Sequence, residues 1–129
     1  MSAALLALTV ATIAAGELTV TEPPAGETRT EVYTAMIREG RANEWDCIDQ
    51  LFRAESGWNP DAVGDQHLGG SHGLPQRHAP AWGAPPEPWP ITDQVAWTIE
   101  YADGRYGGIC PAWEAWLSRA TDDGQGGWW

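Results

Sequence analysis

Lysine is missing from this chain: its 7 basic residues are all arginine, set against 18 acidic ones for a formal net charge of −11. With no basic stripe to neutralise phosphates, nucleic acid is not an expected partner. Phenylalanine is almost missing too, with 1 Phe against 9 Trp. Indoles in that number act either as core filler or as flat faces for stacking on a ligand, and composition does not choose between the two. The only cysteines are Cys47 and Cys110, with no CxxC pair and no Cys/His cluster. His67, His72 and His78 lie in a Gly-rich stretch without a cysteine nearby, so they read as loop histidines, and no metal or other cofactor is expected. No apolar run reaches the roughly 20 residues of a membrane-spanning helix. What remains is 129 residues, enough for one compact domain.

The first residues form an apolar run from Ala3 to Ala15, interrupted by Thr9 and Thr12. Its length suits the core of an export signal with cleavage near Ala14–Gly16, although no basic residue precedes it. A buried helix or packing arm is the other reading. Glu17, Thr21, Pro23 and Pro24 then read as a linker, and a helical pattern resumes near Thr28. This divides the chain into residues 1–40, an apolar segment with its linker, and residues 41–129, where the chemistry concentrates.

From Asn43 to Glu55 the pattern predicts a helix with Asn43 as N-cap and Gly57 and Pro60 as terminators. At about 100° per residue, Trp45, Ile48, Leu51 and Phe52 share one face. Asp46, Asp49, Gln50 and Arg53 share the other. Between residues 57 and 90 no period persists, apart from room for a helical turn at Ala79–Gly83, and a loop of that length inside a domain is usually functional. A further helix starts at Thr92 and carries Val95, Ile99, Ala102 and Tyr106, with Trp97 and Tyr101 on its flank, before Gly107 and Gly108 stop it. The last one begins near Pro111 and carries Trp113, Trp116, Leu117 and Ala120. No strand pattern competes, so the expected class is all-α with at most a small hairpin in the loop region.

Projection of the first of these helices puts Glu55 inside the apolar stripe, between Ile48 and Leu51. Burying a carboxylate there disfavours its charged form and raises its pKa toward the range useful to a general acid. The residues alone leave a second reading, in which Glu55 caps the helix end or pairs with an arginine such as Arg105. By the same projection Trp45, Trp97 and Trp116 belong to the core, while Trp58, Trp82 and Trp89 in loops are candidates to stack on a ligand.

The string Glu55-Ser56-Gly57-Trp58-Asn59-Pro60-Asp61-Ala62, followed by Gly73-Leu74-Pro75-Gln76, resembles the catalytic signature of lytic transglycosylases with the goose-lysozyme-like fold. Trp45, Cys47, Tyr101, Arg105-Tyr106-Gly107, Cys110 and Ala112-Trp113 are similar to the actinobacterial transglycosylase-like subgroup. The resemblance covers residues 42–129. It implies a lysozyme-like single domain that cleaves the bond between N-acetylmuramic acid and N-acetylglucosamine in peptidoglycan, using one glutamate and leaving a 1,6-anhydro end. Carried over, Glu55 is the acid and base, Ser56 and Gln76 orient the sugar, and Tyr101 lines the cleft. Trp113 stands where many relatives have tyrosine, and Pro75 where they have methionine.

The resemblance also implies a Cys47–Cys110 disulfide, closing a loop of about 64 residues for about 4 kcal/mol in the chain-entropy model. Such a bond persists in an oxidising place, which agrees with an extracellular, cell-envelope or phage-virion location and with a larger envelope or virion assembly as partner. Two alternatives accompany this reading. One is a muramidase hydrolysing the same bond with Asp61 or Asp65 as second carboxylate, both of which otherwise read as turn residues. The other is a non-catalytic glycan-binding or virion structural protein.

Overall fold

The computed structural model describes residues 26–123, with side chains up to residue 119. The apolar run Ala3–Ala15, the linker before Gly26 and the chain beyond Asp123 lie outside the described residues. Helices dominate: α1 (Glu27–Arg38), α2 (Trp45–Ser56), α3 (Ala79–Trp82), α4 (Ile91–Tyr106) and α5 (Ile109–Asp123). Between α2 and α3 lie three two-residue strands, β1 (Val63–Gly64), β2 (Ser71–His72) and β3 (Arg77–His78). They pair antiparallel in the order β1-β2-β3, with Val63 opposite His72 and Ser71 opposite His78. The helical class therefore holds, and the loop region carries one strand more than a hairpin.

The core is built from helical stripes at the expected spacing. Val32, Ala35 and Met36 of α1, Trp45, Ile48, Leu51 and Phe52 of α2, and Val95, Ile99 and Ala102 of α4 are buried together with Leu74, Ile109 and Ala112. The core thus includes three residues of α1. Two start sites differ from expectation. A 3₁₀ turn, Ala42–Glu44, precedes α2, so the helix begins at Trp45 and Asn43 is not its cap. Glu44 has another task there: it pairs with Arg41 and accepts the backbone N–H of Cys110 at 3.0 Å, a carboxylate at the positive end of α5. In α4 the first residue is Ile91, ahead of Thr92.

Two cross-links fix the helices around the site. Cys47 of α2 and Cys110 of α5 form the expected disulfide, 63 residues apart in sequence. Arg41 bonds both carboxylate oxygens of Asp103 at 2.8 Å, tying the turn before α2 to α4 and holding the Asp103 carboxyl below its usual range. Among the described residues no helix is long and apolar enough to cross a membrane.

Candidate functional site

Helix α2 delivers Glu55 to its own last turn. Gly57, at φ 62°, takes the left-handed conformation that side chains resist, and the chain turns back with Gly57 N–H on the Arg53 carbonyl and Trp58 N–H on that of Phe52. The Glu55 residue is half-buried at this end. Its carboxyl is pushed up from 4.5 to about 8, chiefly because burial strips water from the charged form. The Trp116 indole N–H donates to Glu55 Oε2 at 2.7 Å and works against that shift, while the nearby negative charge of Asp65 works with it. Arg105 is not a partner of Glu55; its guanidinium donates to the Tyr101 hydroxyl at 2.8 Å.

The residues expected beside Glu55 take more varied roles. Ser56 Oγ donates to the Phe52 carbonyl within α2 at 3.0 Å, so its proton serves the helix end. Gln76, at φ 54°, donates its side-chain amide to the carbonyls of Ala62 and Gly73 and thereby laces the sheet to the turn after α2. Its Oε1 lies so close to Gly64 that a Cβ there would sit 2.6 Å away. Gln76 therefore shapes the loop rather than presenting its amide outward. Trp113 stacks on Trp116, with centroids 5.2 Å apart, and so backs the indole that holds the acid. Tyr101 stacks on Trp97 and meets Tyr106 edge-on; burial pushes its hydroxyl pKa up.

Of the loop tryptophans named as stacking candidates, two have structural work. Trp58 donates to the Asp49 carboxylate at 3.0 Å and packs on Phe52 and Trp45 under the Arg29 guanidinium, and Arg29 itself pairs with Asp49. Trp89 lies against Trp97 and Arg77. Trp82 alone of the three is exposed. Trp97 and Trp116, assigned to the core from spacing, are half-buried and pack against it, and Trp116 also reaches the acid. Asp61 is exposed in the turn closed by Asn59 Oδ1 on its N–H. Asp65 faces Ser71 Oγ at 3.5 Å, and that hydroxyl lies 3.1 Å from His78 Nδ1. Among the described residues no group of three or more His, Cys, Asp or Glu side chains is placed to hold a metal ion.

Sequence reasoning missed Gln94, which is 1% exposed on α4. Its Oε1 accepts the Leu74 N–H at 2.7 Å, and its amide donates to the Pro60 and Trp89 carbonyls at 3.1 and 2.9 Å. One side chain thus fastens three points of the long loop to α4. A polar residue at a core position of a helical stripe was the available signal.

Two recesses flank this region. One, of about 600 Å³, is lined by Trp82, Trp97, Glu100, Tyr101, Gly104 and Arg105. The other, of about 230 Å³, includes Asp61, His72, Glu87 and Trp89. Glu55 lines neither. No protein-family model, curated protein or solved structure matches the chain. Chemically, the arrangement offers one carboxylic acid that keeps its proton at neutral pH, with an N–H donor ready to stabilise it once the proton is gone.

Proposed function

We propose that this chain is a peptidoglycan lytic transglycosylase with a lysozyme-like fold and Glu55 as its single general acid and base. The observation that carries the reading is the Glu55 carboxyl at about 8, protonated at neutral pH at the end of an otherwise apolar stripe. Such an acid donates its proton to the oxygen between C1 of N-acetylmuramic acid and O4 of N-acetylglucosamine as the C1–O4 bond breaks. The resulting carboxylate, supported by the Trp116 N–H, then takes the proton from the muramoyl C6 hydroxyl as O6 bonds to C1. The acid is regenerated, no water enters, and the product carries a 1,6-anhydro end.

The Cys47–Cys110 bond supports a place of action outside a reducing cytoplasm, where the polymer is found. A second reading has one observation in its favour: Asp65 lies near enough to act on Glu55, as a water-holding carboxylate of a muramidase would.

Digestion of purified cell walls, followed by mass spectrometry of the fragments, tests both. A transglycosylase releases fragments one water lighter than those of a muramidase. Glu55→Gln is expected to lower release by about 10²–10⁴-fold, the usual contribution of a positioned acid. Equal release by the two proteins would remove Glu55 from the chemistry.

A further inference from the structure

The two oxygens of the Glu55 carboxyl are not equivalent in this fold. Oε2 accepts the Trp116 indole N–H at 2.7 Å. Oε1 has no hydrogen-bond partner among the described residues, and since no buried side-chain oxygen or nitrogen among them lacks a partner, Oε1 is open to solvent. One oxygen is held by the protein. The other is the one that a glycosidic oxygen can reach.

Two features of α5 aim the indole at Oε2. Cys47 and Cys110 bond α2 to α5 near the start of both helices. Glu55 follows Cys47, and Trp116 follows Cys110, by about two helical turns. The helices therefore run the same way, joined at one end by the disulfide and about two turns further on by the N–H bond to Oε2. Trp113, one turn back on α5, stacks on Trp116 with centroids 5.2 Å apart and planes within 26°, which restricts rotation of the indole.

A donor fixed on one oxygen decides where the proton goes. In the ionised carboxyl the N–H lowers the basicity of Oε2, so a returning proton bonds Oε1. In the neutral carboxyl the N–H needs the carbonyl oxygen, because the hydroxyl oxygen of an acid is a poor acceptor; Oε2 is then the C=O and Oε1 carries the hydrogen. Both states place the exchangeable proton on the oxygen that faces outward. Asp65, whose negative charge opposes ionisation of Glu55, bonds neither oxygen; its own contact is Ser71 Oγ at 3.5 Å.

We propose that Trp116 is a positioning residue that divides the work of the two Glu55 oxygens: Oε2 stays on the indole N–H throughout, and Oε1 alone gives and takes the proton. This rests on the reading of Glu55 as acid and base and deepens it. In the first step the Oε1–H bond breaks as the proton passes to O4, the C1–O4 electron pair leaves with O4, and the negative charge left on the carboxyl is met at Oε2 by the N–H. In the second, O6 bonds C1 and its proton returns to Oε1, so the carboxyl ends as it began. One oxygen thus serves both steps. O6 has to come to the place beside Oε1 that O4 has vacated, and the departing sugar moves off before the new ring closes.

The test compares the wild-type chain with Trp116→Phe and with a chain in which Trp116 alone is replaced by its benzothiophene analogue, which keeps the fused rings and has sulfur in place of the N–H. Infrared difference spectra taken across the Glu55 midpoint give the C=O stretch of the neutral carboxyl, assigned by its absence in Glu55→Gln. The band is expected to move to higher frequency in both chains that lack the N–H, since a carbonyl that loses its donor stiffens. In digestion of cell-wall fragments kcat is expected to fall about tenfold with KM kept, while the alkaline limb of the pH profile moves to higher pH. Loosened packing around Glu55 would instead move that limb down, toward the ordinary carboxylate range. A band that stays in place, or a limb that moves down in the benzothiophene chain, would overturn the division of the oxygens. Undiminished cleavage by Glu55→Gln would overturn the catalytic reading and the two transfers through Oε1 with it. An unmoved band alongside cleavage that does depend on Glu55 would overturn the oxygen assignment alone.

Discussion

Glu55→Gln is also a stability experiment, with a sign that follows from the direction of the pKa shift. The folded chain holds the Glu55 proton up to about 8, whereas an unfolded chain releases it near 4.5. Between those values the folded state binds one proton more than the unfolded state, so stability drains away as pH rises and the loss is complete only above the folded value. Each unit of difference corresponds to about 1.4 kcal/mol, so the wild-type chain is expected to lose up to about 4 kcal/mol relative to the glutamine variant between pH 5 and pH 9. The variant keeps the shape of the side chain and an oxygen for the Trp116 N–H, but it has no proton to lose. Urea unfolding of both proteins at pH 5, 7 and 9 measures the gap. Asp103, held by Arg41 in both chains, drops out of the difference. A gap that stays constant from pH 5 to pH 9 would show that Glu55 is ionised in the folded chain, and the general-acid role would fall with it.

Trp116→Phe removes the indole N–H donor that favours the ionised Glu55 carboxyl and keeps a ring for Trp113 to stack on, so the Glu55 midpoint should move to still higher pH; carboxyl-carbon NMR titration reads the direction. Reducing the Cys47–Cys110 bond should lower the unfolding free energy by about 4 kcal/mol, seen as a shift in urea midpoint with and without reductant. Gln94→Leu leaves the buried Leu74 N–H without its acceptor and should cost about 2–4 kcal/mol, with amide exchange rising first across residues 57–90.

The parts of the molecule legible in the sequence are those governed by local periodicity. Trp45, Ile48, Leu51 and Phe52 declare one face of α2 within a dozen residues, and the same projection exposes Glu55 as a carboxylate on an apolar stripe. Gly57 and Gly107, both left-handed in the structure, stop their helices where the sequence puts the stops. Burial of Glu55 needs no more than that pattern and a partner surface. The identity of the partner surface is another matter: Trp116 lies 61 residues away, and nothing in the spacing of α5 distinguishes an indole that fills the core from one that turns its N–H toward a carboxylate.

The loop shows the same division more sharply. Residues 57–90 have no period because their conformation is imposed from outside. Gln94 reaches back 20 residues to Leu74 and 34 to Pro60, and its oxygen would lie 2.7 Å from a Cβ at Gly73. The trace such contacts leave in a hydropathy pattern is one polar residue on an apolar stripe, which marks Gln94 but not its partners, since each contact is satisfied by a single polar atom rather than by a face. This also explains why Gln76 bonds the Ala62 and Gly73 carbonyls: a loop with so little apolar anchoring needs its own side-chain amides to close it. Of the loop's own tryptophans, Trp58 and Trp89 are drawn into such contacts, whereas Trp82 stays exposed at the edge of a recess it shares with Trp97 and Tyr101 of α4.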